Sequence, residues 1–214
     1  MKLYLKGARL SFPHVFEAKA GPNGGKAKFS IASIIEKTTL AFAGEAKPDS
    51  ATGKAAGYQW DKPTLAFSKA IMAVATEKWG AKAGEIVQQL KAQNRLPLHD
   101  GNEKPATPGY AGSFFCNSSS DIAPGVRHKQ TGAQLKASDG VIYAGCYGDV
   151  IIDVWAQDNQ FGKRVNASLL GVEFSHDGER LAGGAVASED DYAAIPEGAQ
   201  KEAVKSGDGA ASIF

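Results

Sequence analysis

The stretch that decides the fold class is Ile142-Tyr143-Ala144-Gly145-Cys146-Tyr147-Gly148-Asp149-Val150-Ile151-Ile152-Asp153-Val154-Trp155. Its even positions, Ile142, Ala144, Cys146, Val150, Ile152 and Val154, are nearly all apolar. A strand sends alternate side chains to opposite faces, so this set can line a core. The odd positions place Tyr143, Tyr147 and Trp155 on the other face, with Asp149 and Asp153 between the rings. A polar turn follows, Gln157-Asp158-Asn159-Gln160-Phe161-Gly162-Lys163-Arg164, carrying one more ring and two cations. Rings beside cations suit a partner made of flat bases joined by phosphates. The alternative reading sinks the rings in the core and makes the turn a plain hairpin.

Working outward, the segment 164–174 reads as the partner strand. Its apolar face shifts near Gly171, from Val165, Ala167 and Leu169 to Val172 and Phe174, which predicts a β-bulge. The sheet is expected to end near Asp177-Gly178-Glu179. Upstream, residues 2–12 form a strand predicted to break at Pro13, and 17–25 read as a loop. Residues 26–35 form a second strand, with Ala27, Phe29 and Ile31 alternating against Lys26, Lys28 and Ser30. Residues 44–57 have the composition of a mobile loop. Residues 110–118 are a further strand with Phe114 and Phe115 on opposite faces. The intervening stretches 96–110 and 119–140 read as irregular connections, the second holding Arg127, Lys129 and Lys136 as weaker basic candidates.

A helical insert interrupts the strands at about 63–93. Pro63 suits the first turn of a helix over 64–79, which Gly80 stops. Leu65, Met72 and Trp79, spaced by seven, are assigned to its packed side. A second helix over 83–93 presents Ile86, Val87 and Leu90 on one face. Five or more strands with bulge signals and one insert fit a mainly β fold, a small closed barrel of the OB type. A β-sandwich with a helical insertion satisfies the same periodicity.

Composition narrows the classes. The chain has 214 residues, 43% hydrophobic and 22% charged, ordinary values for a globular protein. No apolar run approaches the roughly 20 residues that span a bilayer, and the N-terminus lacks a secretory pattern, so a cytosolic location is expected. Cys116 and Cys146 sit in apolar contexts and are expected as buried thiols. His14, His99, His128 and His176 show no metal-ligand spacing, so no metal site is expected. No nucleotide-hydrolase phosphate loop is present, since Gly21–Ala27 has the wrong spacing, and Gly-x-Ser-x-Gly is absent. The net charge of +1 hides an asymmetry. Residues 181–214 hold six acids against two lysines, and the body carries the excess of cations. Beyond about residue 186 the chain is small, polar and acidic, the signature of a disordered tail.

Five segments together resemble a family of phage-encoded single-stranded-DNA-binding proteins with an OB fold. They are Ala8–Glu17, Leu96–Lys104, Tyr143–Tyr147, Trp155–Asn159 and Asp177–Gly184, in that order, spanning about residues 2–185. The resemblance implies a binding domain over 1–185 and an acidic tail over 186–214. It implies sequence-independent single-stranded DNA binding in phage replication, recombination or repair inside the host cell, with no catalysis and no cofactor. Tails of such proteins often end in an aromatic residue that recruits replication or recombination enzymes and competes with DNA for the groove. Phe214 matches that pattern. The acids depart from it, because Glu189, Asp190 and Asp191 cluster early and only Asp208 lies near the end.

The candidate stacking residues are Tyr143, Tyr147, Trp155 and Phe161, and the candidate phosphate contacts are Arg9, Lys26, Lys28, Lys163 and Arg164. Asp149 and Asp153 would repel phosphate, and a bend at Gly148 is expected to take them out of the groove. Two rivals stand beside this reading. One is a non-enzymatic structural or assembly protein. The other is a metal-dependent nuclease built on the turns Asp100–Glu103 and Asp177–Glu179, although Asp-Gly is also an ordinary turn signal.

Overall fold

The computed structural model describes residues 1–21, 24–44 and 60–181. Among these residues the chain forms β1 (Lys2–Gly21), β2 (Gly24–Ile35), β3 (Leu40–Ala43), α1 (Pro63–Trp79), α2 (Ala83–Ala92), β4 (Leu98–Asp100), β5 (Phe114–Ser120), β6 (Gly125–His128), β7 (Tyr147–Asn159) and β8 (Gly162–His176). Most of the loop expected over 44–57, and the whole tail expected from 186, lie outside the described residues.

The even residues of the central stretch go inward, as their spacing predicts. Cys146, Val150, Ile152 and Val154 are completely buried. The strand itself begins at Tyr147 rather than Ile142, because Gly145 adopts a φ of 116° and interrupts the extended backbone. β7 pairs antiparallel with β1 and β8, β1 with β2, and β2 with β5. A parallel bridge between Ser119 and Ser168 joins β5 to β8. The ring β1-β2-β5-β8-β7 is therefore closed, which makes the fold an OB-type barrel and not a sandwich. β3, β4 and β6 extend it by pairing with β1, β5 and β8.

Pro13 does not end β1, contrary to the sequence expectation. The ladder with β2 slips between Ser11↔Ala32 and His14↔Ser30, and Phe12 has a φ of 46°. A proline lacks the N–H that a ladder needs, and a slip in the register is where that donor is not missed. Residues 17–21, expected as loop, continue the strand to the Lys19↔Lys28 and Gly21↔Gly24 pairs. The bulge expected near Gly171 is present. The register slips between Ile151↔Gly171 and Ile152↔Leu169, which leaves Leu170 unpaired on the exterior.

One continuous core joins the barrel to the helices. Leu3, Leu5, Leu10, Val150 and Ile152 from the strands pack with Ala66, Phe67, Ala70, Ile71 and Val74 of α1 and Leu90 of α2. Pro63 begins α1 and Gly80 caps it, as expected. The packed face of α1 differs from the predicted one. Leu65 and Met72 are 48% and 39% exposed, while the buried stripe runs through Ala66, Phe67, Ala70, Ile71, Val74 and Ala75. Ala66, Ala70 and Ala75 make up half of that stripe, so the seven-residue spacing of Leu65 and Met72 marks the wrong side of the helix. Trp79 is half-buried against the core, and its indole N–H donates to Asp158 Oδ2 at 3.0 Å. α2 packs through Ile86, Val87 and Leu90 as expected. Phe115 is buried and Phe114 exposed, in agreement with their opposite faces. Both cysteines are free and buried, and burial pushes the Cys116 thiol up to about 12.

Candidate nucleic-acid interface

The antiparallel register of β7 and β8 sets Trp155 opposite Asn166 and Gln157 opposite Arg164. Directly opposed residues share a face, here the exterior of the barrel. The Ser119↔Ser168 bridge carries that face onto β5, and the Ser30↔Ser119 pair carries it to β2. The result is a groove of about 540 Å³ whose lining includes Trp155, Gln157, Arg164, Asn166, Asn117, Ser119 and Lys28. Trp155 is 41% exposed, and its indole N–H donates to Ser168 Oγ at 2.9 Å. That bond fixes the edge of the ring.

Arg164 is exposed, and among the described residues it forms no ion pair. Lys28 and Lys26 both face Asp121, at 3.8 and 3.1 Å. The hydrogen bond from Lys26 holds the Asp121 carboxyl below its ordinary range. Exposed pairs of this kind are screened by solvent and contribute little, so a phosphate can replace the carboxylate at little cost. Phe161, 72% exposed, stands at the hairpin tip. Lys163 points elsewhere. It pairs with Asp158 and lies 5.8 Å from the Trp79 ring centre.

Arg95, which nothing in its sequence context singles out, ties this hairpin down. Its guanidinium donates to the carbonyls of Lys163 at 3.1 Å and Phe161 at 3.2 Å. Its own carbonyl accepts from Val165 N–H. The insert thereby fixes the strand pair that carries Trp155 and Arg164.

The remaining predicted residues gather in a second cluster. Tyr143 donates its hydroxyl hydrogen toward Asp177 and the Gly178 carbonyl, both 2.9 Å away, and Arg180 lies 4.3 Å from its ring centre. Tyr147 stacks on His176 at 4.7 Å and 7°, and its hydroxyl donates to Glu36. Burial first, then that carboxylate, raises the Tyr147 phenol. Arg9 donates to the Glu179 carbonyl at 2.8 Å and lies 5.8 Å from the Tyr147 ring centre. These contacts clasp the returning segment 176–181. Gly145 makes the clasp possible, since a Cβ there would meet Glu179 O at 2.0 Å. Three of the five resembling segments therefore meet one another here, and the other two, Leu96–Lys104 and Trp155–Asn159, flank the groove.

The acids of β7 are accounted for. Asp149 accepts from Gly7 N–H and pairs with Lys129 at 2.6 Å, and Asp153 pairs with the N-terminal ammonium at 2.9 Å. The ladder slips between Tyr147↔His176 and Gly148↔Phe174, where the bend was expected. Arg127 is paired with Glu173. The two Asp-Gly turns hold themselves together: Asp100 accepts from Asn102 N–H, and Asp177 from Tyr143. Among the described residues no three His, Cys, Asp or Glu side chains gather as a metal site.

A closed OB-type barrel with an exposed indole and an exposed guanidinium, unpaired among the described residues, in one polar groove defines the class of oligonucleotide-binding barrel proteins. Residues 59–204 match the family described as "Enterobacter phage Enc34, ssDNA-binding protein". The chain belongs to this family of phage single-stranded-DNA-binding proteins. It is 34% identical over 194 residues to putative protein p50 of Acyrthosiphon pisum secondary endosymbiont phage 1, covering 90% of this chain and 92% of that one. Among solved structures, the single-stranded DNA-binding protein from bacteriophage Enc34 is 21% identical with a TM-score of 0.59, covering 89% of both chains. The same protein in complex with ssDNA aligns with a TM-score of 0.57 and 21% identity, over 85% of this chain and 89% of that one. Both likenesses are of fold.

Proposed function

We propose that this chain binds single-stranded DNA without sequence preference, in phage replication, recombination or repair within the host cytoplasm, and performs no catalysis. The observation that carries this reading is the placement of exposed Trp155 and exposed Arg164 together on one polar barrel face. Every base offers a π-face to an indole, so stacking tolerates any sequence, and the guanidinium meets the backbone between bases. Lys26, Lys28 and Phe161 border the same face and complete the proposed contact set. Tyr143, Tyr147, Arg9 and Lys163 are engaged internally in the free protein, and would contribute only where DNA displaces those contacts. The acidic C-terminal segment is proposed to compete for the groove and to recruit replication or recombination proteins through Phe214.

Titration with fluorescent oligo-dT, and with duplex of equal length, at two salt concentrations tests the reading. Single strand is expected to bind better than duplex, with log affinity falling by roughly 0.7 per phosphate contact for each decade of salt. Arg164→Gln is expected to reduce that slope by about 0.7. Failure to bind single strand at low salt would leave the assembly-protein alternative as the better account.

A further inference from the structure

A second cleft, of about 660 Å³, opens between the helical insert and the start of β5. Asn94, Leu96 and His99 line both it and the barrel groove, so the two depressions lie on either side of one shared wall. Phe114 on β5 and Met72 on α1, 40% and 39% exposed, face into it, with Val87 and Ile71 beside them. This apolar lining is uncovered among the described residues. Asp100 and Glu103 also border the cleft, against the single cation Lys91. Carboxylates repel a phosphate but not a neutral base.

The ridge between the depressions is preformed. Asn94, with a φ of 54°, turns the chain after α2. Its amide donates to Glu103 at 3.0 Å, and its carbonyl oxygen lies 2.8 Å from His99 Nδ1. That oxygen can only accept, so His99 carries a proton on Nδ1. The His99 ring in turn stacks on Phe115 at 5.0 Å.

We propose that the single strand leaves the barrel groove over the Asn94–His99 ridge and inserts one unstacked base into the insert cleft against Phe114. The inference rests on the single-strand reading above and extends its footprint beyond the barrel. A volume of this size accommodates a base and its sugar. The walls supply a ring for stacking and apolar surface for the opposite face of the base, and the phosphates stay on the barrel side of the ridge, where Arg95 and Arg164 line the groove.

The test is an anisotropy titration of the full chain with oligo-dT of increasing length, from about 4 to about 16 nucleotides. Wild type and Phe114→Ala are expected to bind the shortest oligonucleotides equally. Beyond the length that fills the barrel groove, the variant is expected to fall behind by roughly 5- to 150-fold. Met72→Glu, on the other wall and exposed, is expected to give the same length-dependent loss, because it replaces apolar surface beneath the base with a charge that insertion would desolvate. It carries the test if Phe114→Ala fails to fold. Trp155→Ala should weaken binding at every length. Cleft variants that match wild type at all lengths, while Trp155→Ala is weakened, would overturn this inference and leave the groove reading standing. Wild-type binding by Trp155→Ala as well would remove both.

Discussion

Trp155→Ala is expected to weaken single-strand binding by about 1–3 kcal/mol, a loss of roughly 5- to 150-fold, with the fold intact. The indole is 41% exposed and belongs to none of the buried clusters, so its removal opens no cavity. What it loses is a flat surface held in place by the bond to Ser168 Oγ. Trp155→Phe keeps a ring but not that bond, and should fall between the two. Fluorescence anisotropy with labelled oligo-dT, beside a thermal melt of each variant, reads both quantities. A variant that melts like wild type and binds like wild type would take the indole out of the interface.

Phe67→Ala is expected to cost the fold about 3–5 kcal/mol, the largest stability effect argued for this chain. Phe67 is 1% exposed and joins α1 to the same core as Val150 and Ile152 of the barrel. Truncation leaves a cavity that a close-packed core relaxes around only in part. Since whole domains are stable by only about 5–15 kcal/mol, the variant should unfold at markedly lower denaturant. Leu65→Ala, two residues away on the exposed side, is expected to change stability by no more than about 0.5 kcal/mol. Equal losses from the two variants would mean that α1 packs through a different face.

That contrast also marks where the sequence stops speaking. Strict alternation at Cys146, Val150, Ile152 and Val154 announced a half-buried strand, because a period of two has one structural meaning. Pro63 and Gly80 bounded α1 for equally local reasons. The face of α1 was not local information: Ala66 and Ala70 are buried in the core that the helix shares with the barrel, and alanine carries little signal of its own. Pro13 was read as a break because a slip in the register, which accommodates it, depends on the neighbouring strand.

The site divides along the same line. Alternation put Tyr143, Tyr147 and Trp155 on one nominal face, but it does not say what covers that face. The segment 176–181 returns over the two tyrosines, while nothing among the described residues lies over Trp155. Asp-Gly-Glu at 177–179 was legible as a turn, and its destination against Gly145 was not. Arg95 was invisible for a similar reason. Its role lies in two backbone carbonyls more than sixty residues further along the chain.

Intrinsic tryptophan fluorescence tests the central claim most directly, because it reports on the groove itself. The chain has three tryptophans, Trp60, Trp79 and Trp155. Saturating oligo-dT is expected to quench the emission of the wild-type protein, and Trp155→Phe should still bind, measured by anisotropy, with the quench lost. A quench of full size in Trp155→Phe would contradict the account, since the bases would then stack elsewhere than in the barrel groove.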